Sequence, residues 1–409
     1  MKQQTQTNKT EWKEVELEDL IECVESGNRP KGGVGSLKEG IPSIGGEHIN
    51  KFGGFDFSNI KFISNEFYSS QKRGIINLGN VLVVKDGATT GRVTIVLKEN
   101  FPYKDALVNE HVFILRPKIL IIEPKYLFYY LYSLYGQKQI LDNFHGSAQG
   151  GINTQFVKNV IIPLPPLPVQ KQIVSILEKA EKLKQKREEA DKLTKEYLQS
   201  VFYEMFGDPV TNPKKWPIVK IREIINCAEY GTSKKSDEIE NGITIIRMNN
   251  ITYDGEWDFL DLKYIKFDEK ETQKYLLNKG DLLFNRTNSK ELVGKTAVYR
   301  SNRKMVYAGY LIRVKTNEKS SSEYISAYLN SDYGKRRLFN MCKSIVGMAN
   351  INAQELQNIE IPLPPLPLQQ KFASIVEKVE KLKEKQKQSK EEINIMFESL
   401  MQKAFNGSW

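Results

Sequence analysis

The hexamer Pro163-Leu164-Pro165-Pro166-Leu167-Pro168 recurs in the same chain as Pro362-Leu363-Pro364-Pro365-Leu366-Pro367, and the match runs well past the prolines. Ile152-Asn153 returns as Ile351-Asn352, Gln155 as Gln354 and Gln170 as Gln369. Ser175-Ile176, Glu178-Lys179 and Glu181-Lys182-Leu183-Lys184 return as Ser374-Ile375, Glu377-Lys378 and Glu380-Lys381-Leu382-Lys383. About 20 of roughly 33 positions are identical at one offset of about 199 residues; two such copies mark an internal duplication rather than a solenoid. Each proline fixes its own φ, lacks an N–H donor and pushes its predecessor toward extended backbone. The hexamer therefore reads as a stiff, non-helical strut whose last proline suits the first position of a helix.

Beyond each strut the chain is free of Gly and Pro until Gly207 and Gly407. About 38 residues of Lys, Glu, Gln and Leu make some 55 Å of helix at about 1.5 Å per residue. The apolar residues keep alternating four-and-three steps. Ile176, Ala180, Leu183, Ala190, Tyr197 and Val201 form one seam, with Arg187 and Thr194 as polar interruptions. Ile375, Val379, Leu382, Ile393, Met396 and Leu400 form the other, interrupted by Gln386 and Ser389. Two seams of equal length in one chain most simply zip to one another.

The duplication covers whole domains. Trp12, Val15, Ile21, Cys23, Glu25 and Gly27 line up with Trp216, Val219, Ile225, Cys227, Glu229 and Gly231. Each copy then has a basic, small-residue loop: Arg29-Pro30-Lys31-Gly32-Gly33 in the first, Ser233-Lys234-Lys235-Ser236 in the second. A strand with a polar tip comes next, Gly79 to Arg92 and Gly280 to Lys295, with a shared framework and unlike interiors. Each copy closes with a tyrosine-rich helical stretch, Tyr126 to Tyr135 and Tyr324 to Tyr333, whose spacing assigns the tyrosines to a core. Lys335-Arg336-Arg337 comes after it in the second copy, a charge run able to meet phosphates.

At 409 residues the chain holds two domains of ordinary size plus the helices. A net charge of +10 favours an anionic partner. Three cysteines without paired spacing indicate a reducing compartment, and Cys23 and Cys227, at equivalent places, suit small core residues. Residues 1–11 read as a flexible polar tail without the apolar core of a signal peptide, so the expected location is cytoplasmic.

Two variable domains, each ending in Pro-Leu-Pro-Pro-Leu-Pro and a long helix, resemble the specificity (S) subunit of type I restriction-modification systems. The Phe206-Gly207-Asp208-Pro209 segment with Asn212-Pro213 and Trp216 is also similar to that family. The resemblance implies an α/β (α+β) chain: target recognition domains at 12–165 and 207–364, joined by a central spacer helix at 166–206 and a C-terminal one at 365–409. It implies that the helices form an antiparallel coiled coil with internal pseudo-twofold symmetry, holding apart two domains that each read one half of a split, asymmetric DNA site. It further implies two docked modification (methyltransferase) subunits bringing S-adenosylmethionine, and restriction (motor-nuclease) subunits bringing ATP and Mg²⁺, with no cofactor on this chain. Antiparallel pairing places Arg187 and Gln386, equivalent by offset, face to face near the helix midpoints.

The residues agree with a chain that binds and does not catalyse. There is no Gly-x-x-x-x-Gly-Lys-Ser/Thr loop and no Asn/Asp-Pro-Pro-Tyr/Phe stretch, and His48, His111 and His145 have no metal-ligand spacing. Asp261-Leu262-Lys263 has the Asp-x-Lys form of some nucleases, which keeps an Mg²⁺ nuclease as one alternative; a coiled-coil protein scaffold is the other. The DNA-binding candidates are Arg29, Lys31, Lys85, Thr89, Thr90, Arg92 and Gln149 in the first copy. In the second they are Lys234, Lys235, Arg247, Asn249, Asn285, Arg286, Asn288, Lys290 and Lys343. Lysine neutralises phosphate, while Arg, Asn and Gln have the donors and acceptors that match base edges.

Overall fold

The computed structural model describes residues 12–34, 37–146, 150–345 and 348–406; the tail expected over 1–11 lies outside them. The chain divides into two compact units. One comprises residues up to Arg187 together with those from Ser389 onward, the other Glu188–Gln388. Both long helices, Leu167–Phe206 and Leu366–Phe405, therefore contribute to each unit.

The first unit is built on a four-stranded antiparallel sheet in the order Ile21–Ser26, Val112–Pro117, Val81–Val84, Val93–Ile95. Val81-Leu82-Val83-Val84 is buried at every position, as a β-branched run covered on both faces should be. Alternate residues serve alternate cores. Val81, Val83, Phe113 and Leu115 join the core of the helices Pro124–Tyr132 and Leu134–Asp142. Leu82, Val84 and Ile114 join a second core with Ile44, Ile49 and Val108. Beside it lies a three-stranded layer of Lys61–Ile63, Ile41–Ile44 and Leu107–Val108.

The second unit repeats this plan. Its sheet runs Ile225–Tyr230, Leu311–Thr316, Leu282–Asn285, Thr296–Val298, and its side layer Lys263–Ile265, Ile243–Ile246, Met305–Tyr307. Its helices are Ser322–Asn330 and Asp332–Met341. Even an irregularity is duplicated: the register slips between Ile21 and Cys23, and again between Ile225 and Cys227.

The head of each proline hexamer is strand: Pro163 and Leu164 in the first, Pro362 in the second. Lys13–Glu16 pairs antiparallel with Ile161–Leu164, placing Pro163 opposite Glu14, and Ile218–Lys220 pairs with Glu360–Pro362. Two-stranded ribbons tolerate proline because its missing N–H can face outward. The helices begin at Leu167 and Leu366, one residue ahead of the expected prolines.

In the first unit Ile173, Leu177 and Ala180 share a core with Phe397, Met401 and Ala404. In the second, Phe202 and Phe206 share one with Phe372 and Val376. The start of one helix thus lies with the end of the other in each unit, which is antiparallel pairing. The seam runs one residue away from the expected phase at alternate positions. Ala180, Val201, Val379 and Gln386 are buried as expected, but Leu183, Tyr197, Leu382 and Met396 are exposed, and Ile176 and Ile375 only half-buried. Leu177, Val376 and Phe397 take the inward places, with Lys184 and Lys383 among them. The Lys184 ammonium lies 4.8 Å from the Phe397 ring centre, and Lys383 bonds Glu256 at 2.7 Å. A stripe carrying those lysines loses to its more apolar neighbour when apolar residues alone are counted. The facing pair also differs from expectation: Gln386 Nε2 donates to Thr194 Oγ1 at 3.0 Å, one heptad further along the central helix than Arg187.

Candidate nucleic-acid interface

The loops beyond the central strands close over the same backbone frame in both units. Lys85 N–H donates to the His111 carbonyl at 2.9 Å, and Ile152 N–H to the Lys85 carbonyl at 2.7 Å. In the second unit Arg286 N–H donates to Tyr310 at 3.0 Å, and Ile351 N–H to Arg286 at 2.9 Å. Gly91 and Gly294 close the two tips, donating to Val84 and Asn285. Both have φ of 85°, a conformation that only glycine adopts without strain.

On this common frame the side chains differ. In the first unit Asp86 meets His111 Nδ1 at 2.5 Å, and Arg29 pairs with Glu110 at 2.6 Å. Lys85 lies 5.6 Å from the Phe113 ring centre. In the second unit Tyr310 stands where His111 does and Gly309 where Glu110 does. Arg286 stacks 4.8 Å from the exposed ring of Tyr230 and reaches the Gly309 carbonyl at 3.4 Å. Each tip has a cation at the equivalent place, but Lys85 stands beside a carboxylate–imidazole pair and Arg286 on a tyrosine ring.

Several expected DNA-binding residues serve the frame instead. Asn285 is fully buried, accepts from Thr287 N–H and donates to Leu292. Arg92 donates to the Ile49 carbonyl at 2.9 Å, and its equivalent Lys295 is buried and donates to Met248 at 2.8 Å. Burial pulls the Lys295 pKa below the ordinary lysine range. Thr89 bonds Gly46 at 3.2 Å, and Thr90 bonds Gly87 at 2.6 Å within its own turn. Arg92, Lys295 and Thr89 tie the tips to the side layers, while Asn285 and Thr90 brace the tips themselves.

The remaining candidates divide between exposed and braced. Lys31, Lys235 and Asn249 are exposed. Lys234 pairs with Glu271 at 3.1 Å, and Arg247 grips Asp261 through Oδ2 at 2.7 Å and its carbonyl at 2.9 Å. Asn288 caps its own turn by accepting from Ser289 N–H, and Lys290 sits 4.3 Å from the Phe339 ring centre. Lys343 lies on the strand Lys343–Ile345, and Gln149 falls outside the described residues. Asp86, Glu110, His111, Tyr230 and Tyr310 were not among the candidates. Aligning the two copies through their central strands exposes them, because each stands beside a shared backbone bond.

Below the tips both units carry the same brace. Tyr126 and Tyr130 hydroxyls donate to the Pro163 and Ile161 carbonyls, as Tyr324 and Tyr328 do to Pro362 and Glu360. Glu25 pairs with Arg116 at 2.6 Å, and Glu229 with Arg313. The Arg313 guanidinium holds the Glu229 carboxyl below its usual pKa. The Asp-x-Lys stretch is occupied likewise, Asp261 by Arg247 and Lys263 by Glu238 at 3.3 Å. Among the described residues no group of three or more His, Cys, Asp and Glu is placed to hold a metal ion. None of the helices among them is long and apolar enough to cross a membrane.

The sequence matches the type I restriction modification DNA specificity domain twice, at residues 9–193 and 213–394. It is 24% identical over 396 residues to the type I restriction enzyme EcoKI specificity subunit of Escherichia coli (strain K12), covering 90% of this chain and 82% of that protein. It is 24% identical over 424 residues to the MjaVIII specificity subunit of Methanocaldococcus jannaschii, covering 97% and 92%. A chain from a solved structure concerned with complex assembly and conformational transition of the type I R-M system shares the fold. It has a TM-score of 0.61 and 20% identity, over 98% of this chain and 99% of that one.

Proposed function

The chain belongs to the type I restriction-modification specificity family, and on that premise we propose that each of its two target recognition domains reads one half of a split DNA sequence. The observation that carries this reading is the pair of tips at Lys85 and Arg286. Their backbone bonds are equivalent, while the groups they present are Asp86, Glu110 and His111 in one domain and Arg286, Tyr230 and Tyr310 in the other. One scaffold bearing two chemistries is what reading two unlike half-sites requires, since base edges are distinguished by donor and acceptor pattern.

The antiparallel helices act as the ruler between half-sites and as the docking surface for two modification subunits, with restriction subunits joining that assembly. The exposed residues Leu183, Tyr197, Leu382 and Met396 form outward positions repeated in both helices and supply the apolar part of that surface. S-adenosylmethionine belongs to the modification subunits, ATP and Mg²⁺ to the restriction subunits, and this chain contributes recognition without chemistry of its own.

Lengthening the ruler tests the proposal. One heptad inserted in both helices adds about 10 Å of rod at about 1.5 Å per residue. That equals about three base-pair steps of about 3.4 Å. Mapping methylated bases in the host should then show the gap lengthened by about three base pairs between two unchanged half-sites. Altered half-site bases, or an unchanged gap, would refute the assignment of reading to the domains and spacing to the rod.

A further inference from the structure

Among the described residues the second domain gathers a set of cations that its twin does not repeat. An open cleft of about 530 Å³ lies between the 290–295 tip and the helix Asp332–Met341. Two half-exposed rings flank it, Tyr253 and Phe339, and each carries a cation on its face. Lys335 Nζ stands 3.2 Å from the Tyr253 ring centre and donates to the Tyr253 carbonyl at 2.6 Å; Lys290 Nζ stands 4.3 Å from Phe339. Arg336 is exposed on the same lining. Two acids share the lining with Lys290, Lys335 and Arg336: Asp332, which accepts from Gln199 at 3.2 Å, and Glu291, whose charged form is favoured by hydrogen bonds from its own N–H and Ser289.

Ser133 and Ser331 accept from Gly136 and Gly334 at the starts of equivalent helices, so Gln137, Lys138 and Leu141 are the counterparts of Lys335, Arg336 and Phe339. Gln137 is spent on the Gly91 and Leu131 carbonyls at 3.0 and 2.8 Å. Among the described residues the first domain thus keeps one cation, Lys138, of that set. Composition runs the same way: residues 207–364 hold 25 Lys and Arg against 20 Asp and Glu, residues 12–165 hold 17 against 16.

We propose that this cleft seats DNA backbone phosphates through Lys290, Lys335 and Arg336, so that the second domain supplies most of the salt-dependent binding and the first reads with little electrostatic help. The inference rests on the DNA-recognition reading above. DNA is favoured over an acidic protein because cations braced on aromatic faces suit repeated phosphates beside flat bases, and because the cleft adjoins the tip assigned to base reading.

The test uses the full chain, a duplex carrying its recognition sequence, and fluorescence anisotropy across a sodium chloride series. The variant Lys290→Gln with Arg336→Gln removes two exposed cations, and thermal melts of each variant check that it stays folded. The slope of log affinity against log salt should shrink by about 1.8, near 0.9 for each phosphate released. Lys138→Gln in the first domain should leave the slope unchanged. An unchanged slope in the double variant, or an equal loss from Lys138→Gln, overturns the seat while leaving base reading intact. Failure of the wild-type chain to discriminate its sequence from unrelated duplex overturns the DNA-recognition reading itself, and the seat with it.

Discussion

Gln170 accepts a hydrogen bond from the backbone N–H of Glu123 at 2.8 Å, and its amide donates to the carbonyls of Ile121 and Pro165 at 3.1 and 2.8 Å. The side chain is fully buried. Gln369 does the same with Ser321, Lys319 and Pro364. Pro168 and Pro367 lack the N–H that could bond back to the Pro165 and Pro364 carbonyls; one amide satisfies that carbonyl and, through its bonds to Ile121 and Glu123 or to Lys319 and Ser321, fixes the helix to its domain. Gln170→Leu keeps the volume but strands three backbone groups, the Pro165 carbonyl buried and the other two partly so. It should lower stability by about 2–3 kcal/mol, the usual cost of orphaned buried polar groups. Urea unfolding followed at the first domain's tyrosines checks this; a loss under about 0.5 kcal/mol would mean that water replaces the amide.

The end of the chain completes the first unit. Phe405 packs against Tyr126 and Tyr130 with ring centres 5.4 and 5.3 Å apart, as Phe206 packs against Tyr324 at 4.8 Å. Removing residues from Phe397 onward should therefore raise amide exchange in Pro124–Asp142, distant in sequence but their neighbour in space. Phe405→Ala alone should cost about 3–5 kcal/mol, in the range of buried Phe truncations. Hydrogen exchange that rises instead across Ser322–Met341 would contradict this division of the chain.

Much of this architecture is legible in the letters because duplication supplies a second reading of most elements. Gln170 and Gln369, the tyrosine pairs and the proline ribbons stand out as identities and prove to be one repeated bracket. The helix phase was not legible: Lys184 and Lys383 occupy inward places that apolar counting assigns to Leu183 and Leu382, since a long stem can lie along a seam while its ammonium finds a ring or a carboxylate. The candidate interface was legible as loops but not as residues. Asn285 looks like a reader and is a buried strut, because the polar composition of a loop does not reveal which side chains turn back to cap backbone groups.

Burial lowers the Lys335 pKa to about 8, with Asp254 and Asp332 nearby opposing the shift. A lysine depressed in the folded state binds fewer protons than in the unfolded chain between about pH 8 and the ordinary value of 10.5. Its effect on stability therefore becomes less unfavourable as pH rises through that window. A phosphate at the cleft favours the charged form, so DNA binding should take up a proton above about pH 8 and weaken as pH rises from there. Affinity measured from pH 7 to 9.5 should fall more steeply for the wild-type chain than for Lys335→Arg, which stays charged throughout. Parallel profiles would remove Lys335 from the phosphate contacts.

The outward stripe of the helices separates assembly from folding. Leu183 and Leu382 are 47% exposed, whereas Leu177 and Val376, on the neighbouring stripe, lie in the cores of their units. Replacing an exposed leucine by glutamate leaves no buried charge and should change stability by at most about 0.5 kcal/mol. Placed in an apolar docking surface, the same carboxylate must be desolvated or excluded, which costs several kcal/mol. Leu183→Glu with Leu382→Glu should therefore retain the wild-type melting profile and DNA affinity but lose co-purification with modification subunits. Leu177→Glu should instead unfold the first unit, because the charge has no solvent to reach. Intact assembly in the double variant would move the docking surface off this stripe, and a melt lowered as far as that of Leu177→Glu would mean that Leu183 belongs to the seam after all.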